Sequence, residues 1–166
     1  SGSRTVAQAS GSIGLVYHLT EQQQIYTHVA SVFEAPTTTE LLNNPAGRGG
    51  FNPRLNAQTS LSNELGIRGN TAGFQYDTAV FFIRTWDEIT PFELPSSPGR
   101  AFFRNAGQSR RLGVETRLAT PEWKGLRGEV SYTYSNFEFE KYVVNDTNLE
   151  GNRFPGIPTH RWEGLV

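Results

Sequence analysis

A chain of 166 residues with 36% hydrophobic and 12% aromatic residues, 17 glycines and a formal charge of −1 is short of aliphatics for a conventional packed core. The near-neutral charge excludes the basic excess of a nucleic-acid binder, and the lack of Cys excludes disulfides, thiolate metal ligands and thiol catalysis. No run approaches the roughly 18 apolar residues of a membrane-spanning helix.

Alternation with a period of two dominates from the start, as expected for strands with one apolar and one polar face. In 11–19, Ile13, Leu15, Tyr17 and Leu19 share one face, opposed by Ser12, Gly14 and His18. A polar turn at Glu21-Gln22-Gln23 leads into a second run over 24–34. Over 59–69, Leu61, Leu65 and Ile67 oppose Ser60, Ser62, Glu64 and Arg68. Asn70-Thr71-Ala72 is a turn, and 73–89 is a long aromatic run whose Phe81 and Phe82 must point to opposite faces. Over 111–118, Leu112, Val114 and Leu118 oppose Arg111, Glu115 and Arg117. Over 127–139, Val130, Tyr132 and Tyr134 oppose Arg127, Glu129, Ser131, Thr133 and Ser135. A last run starts near His160.

About seven strands result, and their connections alternate in length. Short turns lie near 20–23, 70–72 and 120–125; long polar connections lie at 35–57, 90–108 and 141–158. Outer-membrane barrels have this pattern of short periplasmic turns, long extracellular loops and strands apolar outside and polar inside. The expected fold is an all-β antiparallel meander forming part of a large transmembrane β-barrel in the bacterial outer membrane. Its inward charges would be Glu64, Arg68, Glu115, Arg117, Arg127 and Glu129. A soluble β-sandwich shows the same alternation with its faces reversed, so that class stays open. Aromatics favour the membrane: Tyr17, Trp123, Tyr132 and Tyr134 suit the headgroup boundary.

An ordered series of short motifs resembles the later barrel strands of TonB-dependent outer-membrane transporters. Ile25-Tyr26 leads through Ser31-Val32-Phe33-Glu34-Ala35-Pro36 to Glu40-Leu41. Asn52-Pro53-Arg54-Leu55 precedes Glu64-Leu65-Gly66, and Asp87-Glu88-Ile89 closes the next strand. Phe103-Arg104-Asn105-Ala106-Gly107 leads to Gly113-Val114-Glu115. Tyr132-Thr133-Tyr134 and Pro155-Gly156-Ile157-Pro158-Thr159-His160 complete the series. The family resemblance implies a barrel of about twenty-two strands around a plug domain. It also implies a partner, the TonB complex, engaged through a segment ahead of the plug. Residues 1–166 would then be an internal piece of barrel without plug, early strands or final strands; the absence of Met agrees with a processed or excised chain. Further implied partners are the plug, outer-membrane lipid and lipopolysaccharide, and a small-molecule metal chelate. The substrate would be a ferric siderophore; no cofactor is implied beyond the substrate's own iron.

No catalytic constellation is present: there is no Gly-x-Ser-x-Gly elbow, and His18, His28 and His160 are widely spaced. The expectation is no enzyme and no metal site. Gly47-Arg48-Gly49-Gly50 lacks the Lys-Ser/Thr of a phosphate loop and reads as a loop tip. The candidate substrate contacts are the arginines and aromatics of the first two long loops: Arg48, Phe51, Arg54, Phe92, Arg100, Phe102, Arg104 and Arg110. Phe103 and Arg111 sit beside them. Arginine offers planar donors to anionic oxygen, and aromatics offer stacking surface. The plainer reading pairs each arginine with a neighbouring acid or with lipopolysaccharide phosphate. For the inward charges the expected contact is the plug or one another. A passive porin-like barrel and a soluble binding or adhesion module are the alternative functions.

Overall fold

The computed structural model describes residues 8–46, 51–105, 107–144 and 147–166. In chain order its elements are β1 (Gly11–Thr20), β2 (Gln23–Glu34), α1 (Thr38–Leu42), β3 (Gln58–Thr71), β4 (Phe74–Trp86) and β5 (Ile89–Leu94). They continue with β6 (Ser97–Asn105), β7 (Gly107–Ala119), β8 (Glu129–Val144), β9 (Thr147–Asn148) and β10 (His160–Leu165). Seven strands form one antiparallel wall in the order β1-β2-β3-β4-β7-β8-β10, with the two-residue β9 attached to β8. The sheet does not close on itself; β1 and β10 are its edges. The expected meander is therefore present.

The long connections carry structure of their own. Helix α1 in the first is set by a capping box, with the Glu40 carboxylate accepting from Thr37 N at 2.7 Å and Glu40 N donating to the Thr37 hydroxyl at 3.3 Å. The run expected to continue to Ile89 stops at Trp86, because Asp87 adopts φ +54 and turns the chain out of the wall. Residues 89–105 then form a separate hairpin, β5–β6, rather than irregular loop. At the opposite end, β3–β4 closes through Ala72 and Gly73, both with positive φ (51 and 84), the backbone of a two-residue hairpin turn.

The register makes the alternation a property of the whole sheet, because directly opposed residues share a face. Arg68, Asp77, Arg117 and Ser131 lie side by side, as do Glu64, Phe81, Gly113 and Ser135. On the other face Leu65, Val80, Val114 and Tyr134 align, then His160 of β10. That apolar face is open: Leu15 is 67% exposed, Leu65 57% and Val80 46%. Leu61 and Val130, which a sandwich would bury, are also exposed. Among the described residues the buried apolar side chains are Leu55, Phe102 and Ala119. The accessible surface is 11068 Å², against about 8200 Å² for a compact monomer of this mass. This is a wall with two accessible faces; among the described residues the one further sheet is the small β5–β6 hairpin at one end, and no second layer packs along the apolar face.

Two glycines let aromatic rings lie flat across the polar face. A Cβ on Gly66 would fall 2.3 Å from the Tyr26 ring, and one on Gly113 would fall 2.3 Å from Phe81. Phe81 therefore sits on the polar side, while Phe82 stands on the apolar side opposite Leu112, so the two point to opposite faces as the sequence requires.

Candidate functional site

The polar face divides into a turn half and a mouth half. In the turn half, the Tyr26 hydroxyl passes over Gly66 and donates to Asp77 at 3.1 Å, with Arg68 stacked 4.9 Å from the Tyr26 ring centre. With the Gln24 amide turned to present its oxygen, Arg68 Nε donates to it. Arg117 makes two bonds of 2.6 Å to the Glu129 carboxylate, and Arg127, just ahead of β8, donates to Gln75 at 2.6 Å. Of these groups Gln24, Arg68, Gln75, Asp77 and Arg117 border a cavity of about 400 Å³ at the turn end, together with His18. Of the six expected inward charges, Glu64, Arg68, Glu115, Arg117 and Glu129 share this face by register; Arg127 joins them through Gln75.

The mouth half is organised by the long connections: Glu88 at the start of the second reaches the polar face, and residues 151–154 of the third run beside β8 by backbone bonds to Phe137 and Phe139. Arg111 is the anchor: Nη1 donates to Thr85 Oγ1 at 2.9 Å and Nη2 to Glu88 Oε1 at 2.6 Å. Its guanidinium also lies 5.2 Å from the Phe154 ring of the third connection. Glu88 is 9% exposed, and its second oxygen has no partner among the described residues. Phe154 stacks on Phe139 at 4.2 Å, Phe139 on Tyr142 at 4.5 Å, and Phe81 meets Phe137 edge-on at 6.2 Å. An aromatic lining thus replaces the charged ladder of the turn half.

The β5–β6 hairpin cross-ties the connections. Asn52 Nδ2 donates to Phe103 O at 3.3 Å, and Asn56 N donates to Asn105 Oδ1 at 2.6 Å. Asn105 Nδ2 in turn donates to Asn56 O at 2.9 Å and Asp87 O at 2.6 Å. Arg100 donates twice to Asn43 Oδ1 (3.2 and 3.1 Å), and Arg104 Nη2 donates to Val143 O at 3.0 Å. Each guanidinium also covers a ring: Arg100 on Phe102 at 5.1 Å and Arg104 on Phe92 at 4.9 Å. Through this hairpin the first connection and the mouth end of β8 are held to the second connection.

Four of the eight candidate contacts, Phe92, Arg100, Phe102 and Arg104, therefore meet on one face of the hairpin, where Phe92 opposes Phe102. Their arginines tie loops together through an amide oxygen and a backbone carbonyl, not through a neighbouring acid. Arg110 lies elsewhere: it belongs to β7, on the same face as Leu112 and Val114, and pairs with Glu138 at 2.6 Å. Arg54 is exposed and Phe51 half-buried within the first connection. Arg48, with the rest of the 47–50 loop tip, and Ala106 lie outside the described residues. Sequence reasoning missed Glu88, Asn105, Phe137, Phe139 and Phe154 as mouth residues; the parity of Phe137 and Phe139 with Ser135 was the available signal. His18 and His28 are on the polar face, while His160 Nδ1 meets the Tyr132 hydroxyl at 2.9 Å on the other, so the wall does not bring the three histidines together.

A family model described as TonB dependent receptor-like, beta-barrel, matches residues 1–164. The pesticin receptor of Yersinia enterocolitica is 28% identical over 155 residues, 92% of this chain and 21% of that protein. The ferric yersiniabactin uptake receptor FyuA from Yersinia pestis superposes with a TM-score of 0.68 at 24% identity, over 95% of this chain and 22% of that one. The siderophore receptor PirA from Pseudomonas aeruginosa gives a TM-score of 0.66 at 19% identity, over 80% of this chain and 28% of that one. The chain spans about a fifth of the length of the curated relatives it matches.

Proposed function

The chain belongs to the TonB-dependent receptor β-barrel family, whose members are outer-membrane transporters and not enzymes, and from that premise we propose that the protein containing it imports a ferric siderophore, energised through TonB. Residues 1–166 supply a stretch of barrel wall and three extracellular loops. The apolar face meets lipid, and the polar face lines the lumen. The observation that carries this reading is the way the loops meet: the three are tied together at one end of the wall, where Glu88 and Phe154 cover Arg111 on the polar face. The resemblance to the pesticin and ferric yersiniabactin receptors supports an iron chelate as cargo.

In this reading the two halves of the polar face do different work. The mouth half, with Arg111 and the rings of Phe137, Phe139 and Phe154, borders the vestibule where cargo arrives; Arg54 and the hairpin residues Phe92, Arg100, Phe102 and Arg104 shape its rim. The turn half carries Glu64, Arg68, Glu115, Arg117, Arg127 and Glu129 and faces a plug domain supplied by the rest of the polypeptide. Arg68, Glu115, Arg117 and Arg127 are exposed in the wall alone and become contacts once a polar plug fills the lumen.

The test is radioiron uptake by cells that lack their own siderophore receptors and express the full-length protein, offered ferric yersiniabactin first and then a panel of other ferric siderophores. Uptake that disappears when TonB is deleted is the expected result. Correctly inserted protein that accumulates none of the panel overturns the siderophore assignment. Steady ion conductance in a planar bilayer would replace it with the porin reading.

A further inference from the structure

The outward face changes character part-way along the wall. From the turn end, β4 presents Tyr76, Thr78, Val80 and Phe82, then Arg84; β7 presents Leu118, Thr116, Val114 and Leu112, then Arg110. On β8, Val130, Tyr132 and Tyr134 give way past Asn136 to Glu138 and Glu140. The inward face inverts at the same level, from Ser131, Thr133 and Ser135 to Phe137 and Phe139. A strand needs about 9–11 residues to cross a bilayer. Arg84 is the eleventh residue of β4 counted from Phe74, Arg110 the tenth of β7 counted from Ala119, and Glu138 the tenth of β8 counted from Glu129. The charged row thus falls where hydrocarbon gives way to headgroups, and the remaining residues of these strands project beyond it.

Arg84 and Arg110 are directly opposed in the β4–β7 register, a like-charge pair placed side by side. Each is braced from one side: Arg84 Nε by Glu140 at 2.7 Å and Arg110 Nη2 by Glu138 at 2.6 Å. Glu140 reaches across β7 from the irregular register near Gln108 and Ser109, where an unpaired residue re-aims its side chain. The guanidiniums stand outermost: side-chain exposure is 42% and 48% for the arginines against 24% and 18% for their acids. Trp86 lies 5.5 Å under the Arg84 guanidinium, the kind of ring that anchors at a membrane interface.

We propose that Arg84 and Arg110 form a clasp for the phosphate of a membrane-lipid headgroup at the outer edge of the apolar band. Glu138 and Glu140 hold the two guanidiniums in place from below and leave their remaining N–H donors facing outward. A lipid phosphate is the occupant because the site is continuous with the lipid-facing surface and its outermost charges are positive. Two adjacent forks suit a tetrahedral anion better than lysines would. The inference rests on the membrane-embedded reading of the wall.

The test uses the full-length protein in phosphatidylcholine nanodiscs doped with phosphatidic acid, with retained lipid followed by native mass spectrometry. At about a factor of five per arginine near the headgroup layer, the R84Q/R110Q variant loses the tightest phosphatidic acid about twenty-five-fold. The E138Q/E140Q variant, whose amide oxygens still accept from the guanidiniums while the competing negative charge is gone, holds it more tightly than the parent. Equal retention by parent and R84Q/R110Q overturns the clasp, as does weaker retention by E138Q/E140Q. Displacement of the lipid by millimolar inorganic phosphate overturns the commitment to a lipid. Protein that never enters the nanodisc sinks the membrane reading itself; protein that inserts and imports cargo with unchanged lipid retention sinks only the clasp.

Discussion

Tyr26 and Phe81 solve the same geometric problem in the two halves of the wall, yet with opposite chemistry. Each ring lies across a glycine of the adjacent strand on the polar face, Tyr26 over Gly66 and Phe81 over Gly113. Near the turns the ring ends in a hydroxyl donating to Asp77, within a ladder of charges. Near the mouth the ring ends against Phe137, under loops that bury Glu88 and Phe102. One strand rule, with side chains alternating every residue, therefore serves two environments. What changes between them is the surroundings: below, apolar outside and wet inside; above, charged outside and partly dry inside. The level of that change is a physical prediction about the membrane, and substitutions on either side of it can break it.

The largest expected effect comes from placing a charge in the band. Val80→Arg puts a guanidinium midway along the outward face, where a charge in hydrocarbon costs about 2–4 kcal/mol. Gln108→Arg sits on the same face beyond the charged row and should cost less than about 1 kcal/mol. The midpoint of urea unfolding of the full-length protein in phosphatidylcholine vesicles reads both. Equal costs at the two positions would remove the hydrocarbon boundary from where the charged row places it.

An intermediate effect is expected at the mouth. Glu88→Ala leaves Arg111 without its acid and frees the base of the hairpin. Loss of one partner from a fully buried pair costs about 3–5 kcal/mol, and with Arg111 still a quarter exposed the expected loss is about 2 kcal/mol. The signature is local: faster amide exchange over 89–105 with the turn half unchanged. Faster exchange throughout the wall would show that the two halves do not behave as separate units.

The wall was legible in the sequence because period-two alternation is imposed by the pleat, and loop asymmetry by the turns. The mouth was not, for identifiable reasons. Asp87 leaves β4 through a positive φ, which the aromatic run ending at Trp86 conceals, so the pattern alone carries β4 on to Ile89. The hairpin beyond it contains Pro91, Pro95 and Pro98, residues that argue against a wall strand but not against a short free hairpin. Thr37 and Glu40 are a legible capping signal, yet Glu40-Leu41 stood out first as a family mark. Beginning the next strand at Arg111 left Arg110 in a loop, though one further step of alternation places it outward beside Leu112. The cross-ties join residues such as Asn52 with Phe103, Asn43 with Arg100 and Arg104 with Val143, and no local pattern encodes partners so far apart.

The smallest effect sharpens the contrast most. Tyr26→Phe keeps the ring over Gly66 and deletes only the hydroxyl that reaches Asp77. A hydrogen bond to a charged acceptor such as Asp77 contributes about 1.5–3 kcal/mol net where water is excluded, and less where water competes. Asp77 faces the turn-end cavity, where water can replace the lost donor, so the expected loss is about 0.5 kcal/mol in the wall's unfolding free energy. A much larger loss would mean that the lumen here is dry in the intact protein, as a tightly seated plug would make it. Measuring Tyr26→Phe with and without the plug region separates the cases. A cost that rises only when the plug is present identifies this ladder as a plug contact. An equally small cost in both assigns it to the wall's own solvated surface.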